Sequence, residues 1–355
     1  MKHKALIAMS GGVDSSVAAL LMQEKGYDCS GVTMKLFHRE MACGANEKTC
    51  CSLEDVEDAR SVAYSLGMPF YVFNFTDAFQ TQVMDRFIAA YETEATPNPC
   101  IDCNRYLKFD KLYGRAISLG YDYVVTGHYA RIEWDKGRYL LKKGLDAEKD
   151  QSYVLYFMTQ EQLAYTQFPL GGMCKAEIRA IAETYGFVNA KKRESQDICF
   201  VPDGDYAAFI EKHTGKVYPC GPFMDRNGTI LGQHRGLIRY TIGQRKGLGL
   251  SLREPMYVCK KREQDNTVVL GKHEDLCSRE LDATDLNWIA FEKPPRNLRV
   301  KAKIRYRQME QWARVTPTGD NTAHITFDEP QRAITKGQAI VLYDGDVVVG
   351  GGTIC

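Results

Sequence analysis

Along the N-terminal half of the chain, short apolar runs alternate with segments whose apolar residues recur every third or fourth position. The runs Lys4–Met9, Cys29–Leu36, Phe70–Phe75 and Tyr123–Thr126 read as buried strands. Helices are expected over Ser15–Lys25, closed by Gly26, and over Ser52–Leu66, with Ser52 as the cap. In the second of these Leu53, Val56, Ala59, Ala63 and Leu66 form one apolar stripe. Further helical stretches are expected at Ala78–Glu92 and Lys108–Leu119. Such alternation predicts an α/β fold, a parallel sheet with helices on both faces. Ligands of these sheets bind beyond the carboxyl ends of the strands, where Ser10, Met34 and Gly127 fall.

The period changes twice further on. From Tyr206 to Asp275 glycines are closely spaced and 12 Lys/Arg stand against 7 Asp/Glu, a local excess of +5. From about Leu281 short strands with period two appear. Val300, Ala302, Ile304 and Tyr306 share one face, and Lys301, Lys303, Arg305 and Arg307 the other. Strands at Trp312–Thr316, His324–Phe327, Ala339–Leu342 and Val347–Val349 suggest a small β-barrel or sandwich. The expected domains are residues 1–205, 206–278 and 279–355 of the 355.

Charged residues make up 26% and hydrophobic ones 44%, ordinary for a globular protein, and the net charge of +1 argues for no partner by itself. No run of about 18 apolar residues exists to span a membrane. The first apolar stretch is too short for a signal peptide, so a cytoplasmic location is expected. Twelve cysteines in such a chain favour free thiols, metal ligands or catalysis over a disulfide framework.

Two stretches carry chemistry. Ser10-Gly11-Gly12-Val13-Asp14-Ser15-Ser16 follows a strand and opens a helix, read here as serine-capped. The glycines let backbone approach a phosphate, and the first-turn N–H groups and helix dipole attract it. The loop lacks the Gly-Lys-Ser/Thr ending of the common phosphate loop. It resembles the pyrophosphate loop of ATP pyrophosphatases. In Thr96-Pro97-Asn98-Pro99-Cys100-Ile101-Asp102-Cys103-Asn104 two prolines argue for a stiff, exposed loop. Its Cys-x-x-Cys pair, near a helix start at Tyr106, should have reactive thiols. Cys199 is a third candidate, while Cys29, Cys174 and Cys259 read as ordinary buried thiols, and Cys43, Cys50 and Cys51 as part of a polar loop.

Four further motifs occur in order: Thr126-Gly127-His128-Tyr129-Ala130, Lys149-Asp150-Gln151-Ser152-Tyr153, Ser195-Gln196-Asp197-Ile198-Cys199-Phe200, and Tyr240-Thr241-Ile242-Gly243-Gln244-Arg245-Lys246-Gly247-Leu248-Gly249. With the first two, they make the chain resemble the bacterial tRNA-specific 2-thiouridylases over essentially its whole length. The resemblance implies ATP-dependent thiolation of the wobble uridine of tRNA. ATP would lie on Ala8, Met9, Ser10, Gly11, Gly12, Val13, Asp14 and Ser15, with Met34 and Gly127 at the adenosine and Asp14 helping to position Mg²⁺. It further implies a persulfide on Cys199 and a nucleophile at Cys103 that later pairs with it in a disulfide.

Cys100 departs from family members that carry Asp there, and Asp102 is offset by two positions, so that role is not transferred to it. Cys100, Cys103 and Cys199 could instead hold a [4Fe–4S] cluster. The residue types accommodate both routes, and the persulfide route is the one carried forward.

The basic segments Gln233–Tyr240, containing Arg239, and Arg245–Gly247 offer cations and aromatics for RNA. By resemblance, His128, Lys149, Asp150, Gln151, Arg305, Tyr306 and Gln338 also touch tRNA, with His128 near the flipped base. Lysine, glutamine and glutamate acceptors are the tRNAs implied. A cysteine desulfurase or sulfur-relay protein is the implied sulfur donor. Two other readings stand beside this one: another adenylating synthetase, and a thiol redox or RNA-binding protein with a vestigial nucleotide loop.

Overall fold

The computed structural model describes residues 2–37, 53–192 and 198–355. The expected cap Ser52 and the cysteines 43, 50 and 51 lie outside the described residues. Burial of both faces of β1 (Lys4–Ala8) explains the first layer. Ala5 and Ile7 face α1 (Val13–Glu24) and α2 (Leu53–Ser65), while Leu6 packs with Val32 and Val124 against a helix on the opposite face. Strands β2 (Asp28–Lys35), β3 (Phe70–Asn74) and β4 (Tyr123–Val125) join β1. A hairpin of β5 (Ala130–Asp135) and β6 (Arg138–Lys143) then leaves this sheet, before the short β7 (Thr166–Gln167) returns to it. The order is β3-β2-β1-β4-β7 and every pairing is parallel.

Two helical stretches differ from expectation. The first is continuous from Thr76 to Glu92, with a π-helical segment at Gln80–Met84. The second starts at Pro99, well before Lys108, and runs through a π-helical segment, Cys103–Leu112, to Ser118. Pro99 does not break this helix because it occupies the first turn, where its missing N–H would be unpaired anyway. Asn98 caps it by accepting the Cys100 N–H at 3.1 Å. Cys100 and Cys103 therefore ride on a helix rather than on a stiff loop.

The central segment holds a four-stranded sheet around Phe223, Tyr240, Val258, Val268 and Leu270. The helix Tyr206–Thr214 packs elsewhere. Its Ala207 and Ile210 join Phe79, Phe87 and Phe200 in an aromatic-rich cluster of the first layer. The C-terminal segment closes a six-stranded antiparallel barrel, because its first strand, Cys277–Trp288, pairs with its last, Val347–Ile354. Val300, Ala302 and Ile304 fill its interior as expected. Tyr306 does not join them: its strand ends at Lys303, and the ring is 37% exposed. Hairpin strand β6 pairs with the last barrel strand through Val347 and Lys142, extending the barrel sheet with residues from the first layer. No helix among the described residues is long and apolar enough to cross a membrane.

Candidate active site

At the carboxyl end of β1 the chain turns through Gly11, whose φ of +75° is left-handed backbone. A side chain at Gly11 would place its Cβ 2.3 Å from the Asp55 carbonyl oxygen, so α2 lies hard against the loop. Asn189, 2% exposed, donates its amide to the Gly11 carbonyl and to Ser16 Oγ, each at 2.9 Å. Lys192 bridges Asp55 and Asp58 at 2.7 and 2.5 Å behind the same turn. Gly127 closes the other side. A Cβ there would sit 2.9 Å from the backbone of Asp14 and Ser15.

The start of α1 is not serine-capped. Gly12 is the N-cap, and the Ser15 and Ser16 hydroxyls both donate to its carbonyl, at 3.0 and 3.2 Å. A serine inside the first turn points back at the carbonyl, and Ser15 Oγ accepts only the Ser10 N–H, at 3.2 Å, from the residue before the turn. Among the described residues no side chain accepts from the N–H groups of Gly12, Val13 or Asp14. An uncapped helix start beside a glycine cradle fits a phosphate chain.

Asp14 is held by two groups, of which the sequence marked only one. Both of its oxygens accept from Lys175 Nζ, at 2.7 and 2.8 Å, and Oδ1 also accepts from the Tyr129 hydroxyl at 2.6 Å. Tyr129 belongs to a motif already singled out, whereas Lys175 and Asn189 lie 161 and 178 residues from their loop partners and carry no local signal. Asp14 is the loop's one acidic side chain, and among the described residues no three His, Cys, Asp or Glu groups converge on a metal position. The donor set suits a divalent ion carried largely by nucleotide phosphates, the usual manner for Mg²⁺.

Cys103, Cys199 and Met34 are all partly buried against the same apolar cluster, formed around Leu36, Phe79, Phe87 and Phe200. Cys100 is exposed. Among the described residues Cys100, Cys103 and Cys199 do not form a three-ligand metal group. Cys29 is buried, and burial with the neighbouring Asp28 pushes its thiol up to about 11. Cys174 is exposed, contrary to expectation, because it is the N-cap of the helix Lys175–Thr184.

The barrel steadies the cysteine-bearing helix. Thr96 donates its N–H to Lys336 O at 2.8 Å, Gln338 Nε2 donates to Thr96 O at 2.6 Å, and Arg105 forks onto Asp285. Asp102 faces Arg86 and Arg105, and burial raises its carboxyl to about 6 in spite of them.

The expected RNA residues fall into two groups. His128 is buried between the rings of Phe109 and Phe168, with Nδ1 2.6 Å from Thr126 Oγ1. Burial, with Lys108 nearby, keeps its pKa well below the ordinary value, so the ring is neutral. Gln151 Oε1 accepts the Tyr129 N–H at 3.0 Å, which links the 149–151 turn to Asp14. Asp150 accepts from Gly144 and Ser152 N–H, and its carbonyl accepts from the Tyr306 hydroxyl at 3.1 Å. Arg305 donates to Ala333 O and Thr335 Oγ1. Arg239 and Arg245 stand apart in the central segment. Arg239 is forked onto Glu211 at 2.8 and 2.7 Å, and Arg245 is exposed.

Residues 3–203 match the family model described as the tRNA methyl transferase HUP domain. Residues 207–272 match the tRNA methyl transferase PRC-barrel domain, and residues 278–354 the aminomethyltransferase beta-barrel domain. The chain is 52% identical over 356 residues to the tRNA-specific 2-thiouridylase MnmA of Clostridioides difficile (strain 630), covering 100% of this chain and 98% of that protein. It is 53% identical over 351 residues to the protein of the same name from Moorella thermoacetica, covering 98% of each.

The Asp102 environment predicts a pH-dependent stability difference. Its carboxyl rises from an ordinary 3.8 to about 6 on folding, so its contribution is intact below pH 4 and is lost as pH climbs through 6. Asp102→Asn should therefore unfold at higher urea than the parent at pH 8, by at most about 3 kcal/mol, and lose that advantage towards pH 4. Urea titrations at both pH values check this, and a gap equal at both would contradict it.

Proposed function

The chain belongs to the tRNA-specific 2-thiouridylase family, and from that premise we infer that it is an ATP-dependent enzyme that replaces O2 of the tRNA wobble uridine with sulfur. The observation that carries this reading is the uncapped start of α1, with its glycine turn at the carboxyl edge of the parallel sheet.

Uracil O2 is a poor leaving group until it is phosphorylated. In the proposed first step O2 attacks the α-phosphorus of ATP, pyrophosphate leaves, and the base carries AMP on O2. Gly11, Gly12, Val13 and Ser15 offer backbone N–H groups to the phosphates, with Ala8, Met9 and Ser10 leading into the turn. Met34 and Gly127, at the ends of neighbouring strands, would border the adenosine. Mg²⁺, when bound, offsets the phosphate charge, and Asp14 would hold it.

Sulfur transfer follows on the two thiols. The terminal sulfur of a Cys199 persulfide attacks C2, and AMP departs with the electron pair of the C2–O bond. The Cys103 thiolate then attacks Cys199 Sγ. The S–S bond breaks, its electrons stay on the sulfur bound to C2, and a Cys103–Cys199 disulfide forms. An external thiol reductant and a fresh persulfide donor, a cysteine desulfurase or sulfur-relay protein, restore the enzyme. That both cysteines border one apolar cluster supports this pairing.

The proposed tRNA grip divides between residues 206–278, with Arg239 and Arg245, and the barrel residues 279–355, with Arg305, Tyr306 and Gln338. Lys149, Asp150, Gln151 and a neutral His128 would meet the anticodon loop closer to the nucleotide. A neutral imidazole suits contact with a base rather than with a phosphate. The lysine, glutamine and glutamate tRNAs are the proposed substrates.

Two variants separate the steps. Asp14→Ala should lower AMP release by ~10²-fold or more while leaving tRNA affinity unchanged. AMP release at the parent rate would remove Asp14 from the site. Cys199→Ser should release pyrophosphate from ATP in the presence of tRNA yet form no 2-thiouridine, scored by nucleoside chromatography. A normal thiouridine yield would exclude the persulfide role.

A further inference from the structure

Lys175 begins the helix Lys175–Thr184, far from the loop in sequence, yet its ammonium donates to both oxygens of Asp14. The residue is buried, 8% exposed, and its side chain runs past the Tyr129 ring, whose centroid is 5.6 Å from Nζ. Its backbone is pinned as well, since the Lys175 N–H donates to Asp146 Oδ2 at 2.9 Å and the preceding Cys174 N–H to Glu177 at 2.7 Å. The helix start is thus fixed while the flexible four-carbon stem is what reaches the loop.

A divalent ion at Asp14 needs a bare carboxylate oxygen. Here Oδ1 and Oδ2 both accept short bonds from the ammonium, and Oδ1 takes a third from Tyr129. Two cations on one carboxylate repel each other strongly in a partly buried site. Phosphates laid against the uncapped start of α1 would give the ammonium a more highly charged partner than Asp14 and free the carboxylate. Lys192, the other lysine beside the loop, is different. It is held by two carboxylates, Asp55 and Asp58, at 2.7 and 2.5 Å.

We propose that Lys175 is an exchangeable counter-ion of the loop, which occupies Asp14 until the triphosphate of ATP takes the ammonium over, so that a divalent cation binds Asp14 only together with nucleotide. This rests on the reading of Ser10–Ser15 as the ATP loop and adds to it a positioning residue and an order of binding. The exchange keeps Asp14 from collecting a metal ion in the empty enzyme. It also places a cation against the phosphates as the ion arrives at the carboxylate, so that neither charge is left buried and unpaired.

The test uses Mn²⁺ as the probe, titrated into the full-length protein and followed by the loss of free-ion paramagnetic resonance signal, with and without a non-hydrolysable ATP analogue. The parent should bind Mn²⁺ at least ~10²-fold more tightly with the analogue than without it, while Lys175→Met should bind Mn²⁺ without nucleotide about 10- to 100-fold more tightly than the parent does. The same variant should bind the analogue at least about tenfold more weakly, and adding Asp14→Asn to it should abolish the nucleotide-free Mn²⁺ site. Lys175→Gln, which removes the charge but can still hydrogen-bond to Asp14, should move in the same directions and serves if the methionine variant fails to fold.

Unchanged Mn²⁺ affinity in both folded variants, or unchanged analogue affinity, would overturn the exchange while leaving the ATP loop standing. Failure of the parent to bind the analogue at all would instead overturn the loop reading, and this inference with it.

Discussion

A helix start left without a capping side chain, at the edge of a parallel sheet, exposes backbone donors that favour an anion. The structure around α1 holds that opening in place. Gly11 takes a left-handed turn that brings it against Asp55, Asn189 holds its carbonyl, and Gly127 presses on the first turn from the adjacent strand. The serines that would otherwise close the gap hydrogen-bond to the Gly12 carbonyl instead. The one acidic side chain of the turn, Asp14, is neutralised by Lys175 rather than left to repel phosphate. The proposed phosphate affinity would be a property of backbone geometry, with side chains arranged to keep that geometry open.

The second centre depends on the first layer and the barrel together. The helix that carries Cys100 and Cys103 is capped by Asn98 and tied to the barrel through Lys336, Gln338 and Asp285. Cys199 approaches the same apolar cluster from the segment that leads to the helix Tyr206–Thr214. The barrel therefore braces the segment that carries the proposed nucleophile, besides any RNA contact. Gln338 and Tyr306 each hydrogen-bond to the backbone of a segment carrying proposed site residues.

Local patterns made the sheet, α1 and the glycine turn legible, because a strand running into two glycines and a helix is written in contiguous residues. The barrel interior was legible for the same reason, in the alternation of Val300, Ala302 and Ile304. Pro97 and Pro99 misled, since a proline stops a helix interior but is welcome at its first turn, and the helix starts there. The serine-rich loop suggests a serine cap, but Ser15 lies inside the helix, where its hydroxyl reaches a carbonyl instead. Lys175 and Asn189 could not be found by periodicity at all, because only the folded sheet brings them to the loop. The pairing of β6 with the barrel was equally hidden, since strand partners separated by most of the chain leave no local trace. The family motifs supplied roles for Cys103 and Cys199 that spacing alone could not assign.

The central claim is that ATP activates the base and a protein-borne persulfide, without an iron–sulfur cluster, supplies the sulfur. Iron-stripped protein incubated anaerobically with unmodified tRNA, Mg-ATP and a persulfide donor tests it, with AMP and 2-thiouridine measured in the same reaction. The account predicts both products, formed in equal amounts until the Cys103–Cys199 disulfide accumulates. AMP without 2-thiouridine, with thiouridine restored only on returning iron and sulfide, would contradict it.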